Sequence, residues 1–205
     1  MKVQLNLAAL FGVLLSWSVH ADTKNITMEL DAAQLQQLHL QVGVGQIKLS
    51  TANTDKIQLR VDVTGEKRWW FFSHKVGDIE LTKQRDGSKL SLSIDKDNTK
   101  QDWQLTIPES LAVRIDLGVG QFFAEQFIAD AFVDVSVGQV SANLDTTHYQ
   151  KILLTAGVGN VQLKNAPKET KSERHLVGGT LELEGSGQAS FEASVGVGDI
   201  SIAHQ

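Results

Sequence analysis

Apolar and polar residues alternate along most of the chain, and the alternation slips at recurrent glycines. Leu38, Leu40, Val42 and Val44 share one parity, as do Val113, Ile115, Leu117 and Val119, and Ile152, Leu154, Ala156 and Val158. Period two marks a strand with one buried face. Past each run the apolar spacing widens to three. Val44 is followed by Ile47, Val119 by Phe122, Val137 by Val140, Val158 by Val161 and Val197 by Ile200. With both apolar partners inward, such a gap predicts a bend at the two residues between them. Those pairs are Gly45-Gln46, Gly120-Gln121, Gly138-Gln139, Gly159-Asn160 and Gly198-Asp199. Glycine suits a sharp bend because it accepts positive φ.

The glycine markers recur. Gly120, Gly138, Gly159, Gly179 and Gly198 are 18 to 21 residues apart, and a degenerate copy surrounds Gly77. The first half keeps the motif with an uneven step, as though a segment were inserted between Gly65 and Gly77. Repeats of this length that cannot bury an apolar face alone stack on their neighbours. The predicted fold is all-β: a single-domain β-solenoid (β-helix) with turns of about 20 residues and Gly-x-Gly corners. Roughly nine turns at about 4.8 Å would give a rod on the order of 40 Å long. Helical signal is weak, with one turn at most over 31–37.

The stretch QLTIPESLAVRIDLGVGQFFAE (104–125) combines a strand, a Pro-centred turn, an alternating strand and a Gly-x-Gly corner. In this it resembles the putative adhesin family of bacterial envelope proteins, over most of the mature chain. The resemblance implies an exported, non-enzymatic β-helix with no defined ligand, and it transfers no functional residues.

The N-terminus points to export. Lys2 precedes an apolar run over 7–19, too short to span a bilayer, and Val19-His20-Ala21 offers a cleavage site after Ala21. Residues 1–21 are therefore read as a cleaved signal peptide and 22–205 as the β-solenoid domain, periplasmic or extracellular. With no cysteine there is neither a lipid-attachment site nor a disulfide. Without Lys2 the chain carries 18 Lys plus Arg against 24 Asp plus Glu, a net charge of −6. That balance argues against a nucleic-acid partner.

Candidate chemistry is thin. A phosphate loop needs a third glycine and a following helix, and both are missing here. A calcium β-roll needs an acid at every turn. The equivalent positions are Gln46, Gln121, Gln139, Asn160 and Asp199, four of them neutral and suited to an amide ladder. His39, His74, His148 and His175 lack metal-ligand spacing. Glu182 with Glu184, and Asp95 with Asp97, alternate as paired acids on a solvated strand face would. They are the one hint of carbohydrate-active catalysis. No enzyme activity and no cofactor are expected.

Two features go beyond scaffold. EKRWWFFSHK (66–75) places Trp69, Trp70, Phe71 and Phe72 together, four of the 13 aromatics in the chain, beside Lys67 and Arg68. Successive strand residues face opposite ways, so two of the four must leave the core or form an end cap. They are the candidate contact with an envelope protein, glycan or membrane surface. Gly43, Gly118, Ser136, Gly157 and Gly196 point outward as a bare stripe, where the backbone kinks and tolerates no Cβ. Residues 164–175 read as a solvated polar loop. The expected function is a non-catalytic, adhesin-like envelope binding module. Its alternative is a structural scaffold self-associating through the solenoid ends or the bare stripe.

Overall fold

In a computed structural model, residues 23–65, 79–165, 171–174 and 177–204 are described. The predicted signal peptide (1–21) and the aromatic run (66–75) lie outside them. The described chain is all-β, apart from one 3-10 turn at Thr146–His148. Its strands are β1 (Thr23–Asp31), β2 (Gln37–Ala52), β3 (Lys56–Gly65), β4 (Thr82–Asp86), β5 (Lys89–Ser93), β6 (Thr99–Pro108) and β7 (Ala112–Glu125). After them come β8 (Ala131–Leu144), β9 (Tyr149–Val158), β10 (Val161–Lys164), β11 (Lys171–Arg174), β12 (Gly179–Glu184) and β13 (Ala189–His204). The weak helical signal over 31–37 is a turn, closed by Leu35 N–H on Ala32 C=O at 2.9 Å.

All thirteen strands join one sheet, in the order β1-β3-β6-β2-β7-β8-β13-β9-β12-β11, with β10 beside β13 and β5 between β2 and β4. Its middle is parallel. Val113 of β7 pairs with Leu38 of β2 on one side and Ala131 of β8 on the other. β7 has 14 residues and would span roughly 46 Å if straight. Yet only residues 126–130 return the chain to the start of β8, a reach of about 20 Å. The long strands must therefore bend, and each does so at its glycine pair.

Two features of the order depart from turn-on-turn stacking in sequence. The final strand, β13, lies between β8 and β9 and pairs in parallel with both. Both flanks switch to antiparallel pairing, β6-β3-β1 at one end and β9-β12-β11 at the other. The predicted polar loop 164–175 also holds a strand, because Lys171–Arg174 forms the edge beside β12. Its charges blunt that edge against further pairing.

The core is a set of ladders running across the strands. Leu40, Ile115, Val133, Ala193 and Leu154 are successive partners in one, and Ile47, Phe122, Val140 and Ile200 in another. All nine are buried. At one end Phe127, Tyr149 and Phe191 close the core edge-to-face, with ring centroids 6.4 and 6.2 Å from Phe191. The buried Tyr149 hydroxyl donates to Phe127 C=O at 2.6 Å. Burial pushes its pKa well above the ordinary phenol value, and the charges of Asp130 and Asp145 add to the shift. At the other end, Gln101 holds Trp103 Nε1–H through Oε1 and donates Nε2–H to Ile94 C=O. A buried amide is thus satisfied on both sides.

The bends have a specific cause. Gly45, Gly120, Gly138, Gly198 and Gly159 hold φ between +135° and +154°, a region closed to most side chains. They also stand in register as one column. A methyl on Gly138 would overlap the Gly120 carbonyl, one on Gly120 the Gly45 carbonyl, and one on Gly198 the Gly138 carbonyl. Each bent strand of the column thus needs a bare α-carbon against its neighbour's backbone. Gly43 is different, for a Cβ there meets nothing within 4 Å. Gly138→Ala is therefore expected to cost about 3 kcal/mol or more. Gly43→Ala should change stability by less than about 1 kcal/mol, in the stabilising direction if at all. Urea unfolding followed by circular dichroism measures both, and equal losses would refute the column.

Candidate functional site

The bend corrects one expectation outright. Val44, Val119, Val137, Val158 and Val197 were assigned inward, yet they are 40–50% exposed. The last inward residue before each corner is instead the position two earlier: Val42, Leu117, Val135, Ala156 or Val195, all buried. Gly-Val-Gly is itself the corner. Its first glycine and its valine both sit on the outside, and inward parity resumes at Ile47, Phe122, Val140 and Ile200. The five valines pair in the order Val44, Val119, Val137, Val197, Val158 and form a continuous apolar ridge.

The outward stripe, bare except at Ser136, lies beside this ridge. Its sterics are mixed. A Cβ on Gly118, Gly157 or Gly196 would press on a neighbouring carbonyl at 2.5–2.7 Å, while Gly43 has open space and Ser136 carries a side chain. The predicted amide ladder is present in part. Gln46 Nε2–H reaches Gln121 Oε1 at 3.4 Å, and Asn160 donates from both its backbone and its amide to Asp199 Oδ1, at 2.9 and 3.1 Å.

The candidate contact residues Lys67, Arg68, Trp69, Trp70, Phe71 and Phe72 lie outside the described residues, as do His74 and His175. Asp95 and Asp97 do not share a strand face. They sit in the connection after β5, where Thr99 Oγ1–H caps Lys96 C=O at 2.8 Å and Asn98 takes φ +56°. With Asp116 they line a cleft of about 540 Å³ beside Val44. Glu182 and Glu184 do share the outer face of β12, and Lys171 lies 3.6 Å from Glu184. His39 meets Asp116 through Nε2 at 2.6 Å, and Arg114 contacts the other carboxylate oxygen at 3.2 Å while covering the Phe132 ring. This tight cluster fixes the outer face of the first arm, the part of the bent strands before their corner glycines, the second arm being the part after them. Among the described residues no group of three or more His, Asp or Glu is placed to hold a metal ion. No described helix is long and apolar enough to cross a membrane.

The outer face of the second arm carries a broad concavity. A trough of about 730 Å³ crosses β1, β3, β6, β2 and β7. A smaller depression of about 180 Å³ continues it over β8, β13 and β10, sharing Phe123 and Glu125. The middle row of this surface follows the register. Thr27 pairs with Arg60, Arg60 with Gln104, Gln104 with Lys48, and Lys48 with Phe123. Beyond Phe123 come Ser141, Ser201 and Gln162. One half-buried aromatic thus stands mid-row among hydroxyls, amides and two cations, with no acid in that row. Acids flank it: Glu29 is paired with Lys56 at 3.2 Å, and Arg60 leans to Asp62 at 3.3 Å. Sequence reading missed this surface because its members are scattered from residue 27 to residue 201.

Comparisons with known proteins agree with the architecture. The family described as the N-terminal domain of toast_rack, DUF2154, matches residues 17–164. The chain belongs to that family. No curated protein matches it. Among solved structures, a putative cell adhesion protein from Clostridium sporogenes is similar at 15% identity with a TM-score of 0.54, covering 89% of this chain and 100% of that one. A putative adhesin from Parabacteroides distasonis aligns at 11% identity over 90% of this chain and 74% of its own, with a TM-score of 0.32. The first likeness bears on fold alone. The all-β class read from the sequence holds for this toast_rack-family chain.

The reassigned valines give a direct check. Val137→Ser should shift unfolding stability by no more than about 0.5 kcal/mol, as at other surface sites. Val135→Ser, two residues earlier and 0% exposed, should cost about 3 kcal/mol through a cavity and a buried hydroxyl. Chemical denaturation compares the two; an equal or reversed ranking would return the valines to the core.

Proposed function

We propose that this chain, after removal of residues 1–21, is a non-catalytic binding module of the bacterial envelope. It acts in the periplasm or outside the cell and is built as a short β-solenoid whose bent strands are its turns. The observation that carries the reading is the broad polar face of the second arm with its trough. A rigid sheet presents side chains at fixed spacing and low entropic cost, which suits recognition of an extended surface or polymer. Trp69, Trp70, Phe71 and Phe72 remain a second contact candidate on sequence grounds.

Co-sedimentation of the purified mature protein with inner-membrane, outer-membrane and peptidoglycan fractions tests the reading. The wild type is expected to pellet with one fraction. A variant with serine at all four aromatics, shown by circular dichroism to be folded, separates their part from that of the sheet. A wild type that stays soluble with every fraction would contradict the proposal.

The valine ridge favours a second reading, a self-associating scaffold. Exposed apolar rows of this kind commonly mark contact surfaces. The sheet ends, with charged edge strands, are poorer joints than the ridge. On this reading the apparent size on a sizing column rises with concentration, and Val119→Ser combined with Val137→Ser and Val197→Ser abolishes the rise.

A further inference from the structure

We infer that the trough across the second arm binds a linear β-1,4-linked polysaccharide, lying along the stack and perpendicular to the strands. The inference rests on the binding-module reading and names its ligand class.

Shape comes first. The trough and its continuation run across eight strands and share Phe123, so the site is a channel along the stack axis and not a closed pocket. An open channel of this kind takes a polymer in preference to a compact metabolite. Neighbouring strands are about 4.8 Å apart, close to the advance of one sugar along a β-1,4-linked chain. Successive sugars would therefore meet successive strands in near register.

Chemistry narrows the polymer. The trough floor offers the amides of Gln46, Gln58 and Gln104 and the hydroxyls of Ser50 and Thr106. Amides and hydroxyls both donate and accept, as sugar hydroxyls require. Phe123 supplies an apolar face at the centre for the C–H side of a pyranose ring. Lys48 is exposed and Arg60 half engaged by Asp62. With Glu29 and Glu125 opposite them, the surface has no dominant sign. Nucleic acid would need such a sign. A peptide adding as a strand would need an open edge, whereas β6, β2, β7 and β8 each have neighbours on both sides. A lipid face would need an exposed apolar patch, whereas Leu49, Leu59 and Leu105 in the lining are buried and Phe123 and Met28 are half-buried. An uncharged polyol chain fits what remains.

Isothermal titration of the mature protein with chitotriose, chitohexaose and cellohexaose is the test, run beside Phe123→Ala and Gln104→Ala. The expected result is saturable binding of at least one hexasaccharide, at least tenfold weaker for the trisaccharide. Phe123→Ala should weaken it at least tenfold and Gln104→Ala, an exposed position that leaves the fold intact, several-fold. Pull-down on protein-free peptidoglycan sacculi and on cellulose then separates a wall glycan from an external one. Failure of both hexasaccharides to bind overturns the inference. Binding unchanged by both substitutions, or equal for short and long chains, overturns it too. If the wild type still pellets with an envelope fraction while no hexasaccharide binds, the glycan assignment falls and the binding-module reading survives. If it pellets with none, both fall.

Discussion

A methyl group placed on Gly138 would occupy the space of a carbonyl oxygen on the neighbouring strand, and the same holds along the column at Gly45, Gly120, Gly198 and Gly159. Strand spacing is set by ladder hydrogen bonds at about 4.8 Å, so this overlap cannot be relieved by moving turns apart without breaking the ladders. Bare α-carbons at the bend let the strands turn sharply and remain bonded through the turn. From that follow the short return of residues 126–130, the two inward faces that enclose the core, and the outward apex where the valines stand. The protein has no disulfide. Its cohesion comes from these ladders and from the apolar columns that the bend brings together.

Much of this was legible in particular residues. Leu38, Leu40 and Val42 announce a buried face by alternation, and the glycines after them announce a bend. The valines were misassigned for a physical reason. A period-two count carried through a bend cannot tell which two residues span it, and an apolar side chain invites placement inside. The glycine after each valine, and the glycine or serine before it, held the better clue, since the residue following the apex admits no Cβ. The position of β13 between β8 and β9 had no local signature, because parallel pairing is decided by long-range fit of columns such as Val135, Val195 and Ala156. The antiparallel flanks were equally silent, and Gln101 stands in the glycine column at Gly45 without resembling its members.

The trough was legible after the fact. Lys48, Phe123, Ser141, Gln162 and Ser201 each lie three residues beyond a corner glycine, and Gln104 lies three beyond Gln101. Reading the repeat at that offset assembles the row from sequence alone, once the order of turns is known. The candidate surface therefore rests on the same constraint as the fold. The corner sets the register, and the register turns scattered polar residues into one continuous surface, with the valine ridge as its apolar counterpart.

Native-state amide hydrogen exchange over the corner segments 42–47, 117–122 and 135–140 tests the central claim most directly. If the glycine column holds the stack together, the protected amides there exchange only through global opening, with the same free energy as those of the flanking arms. Corner amides that open at low cost while the arms stay protected would contradict it, and the bend would then be a hinge between two independently stable faces.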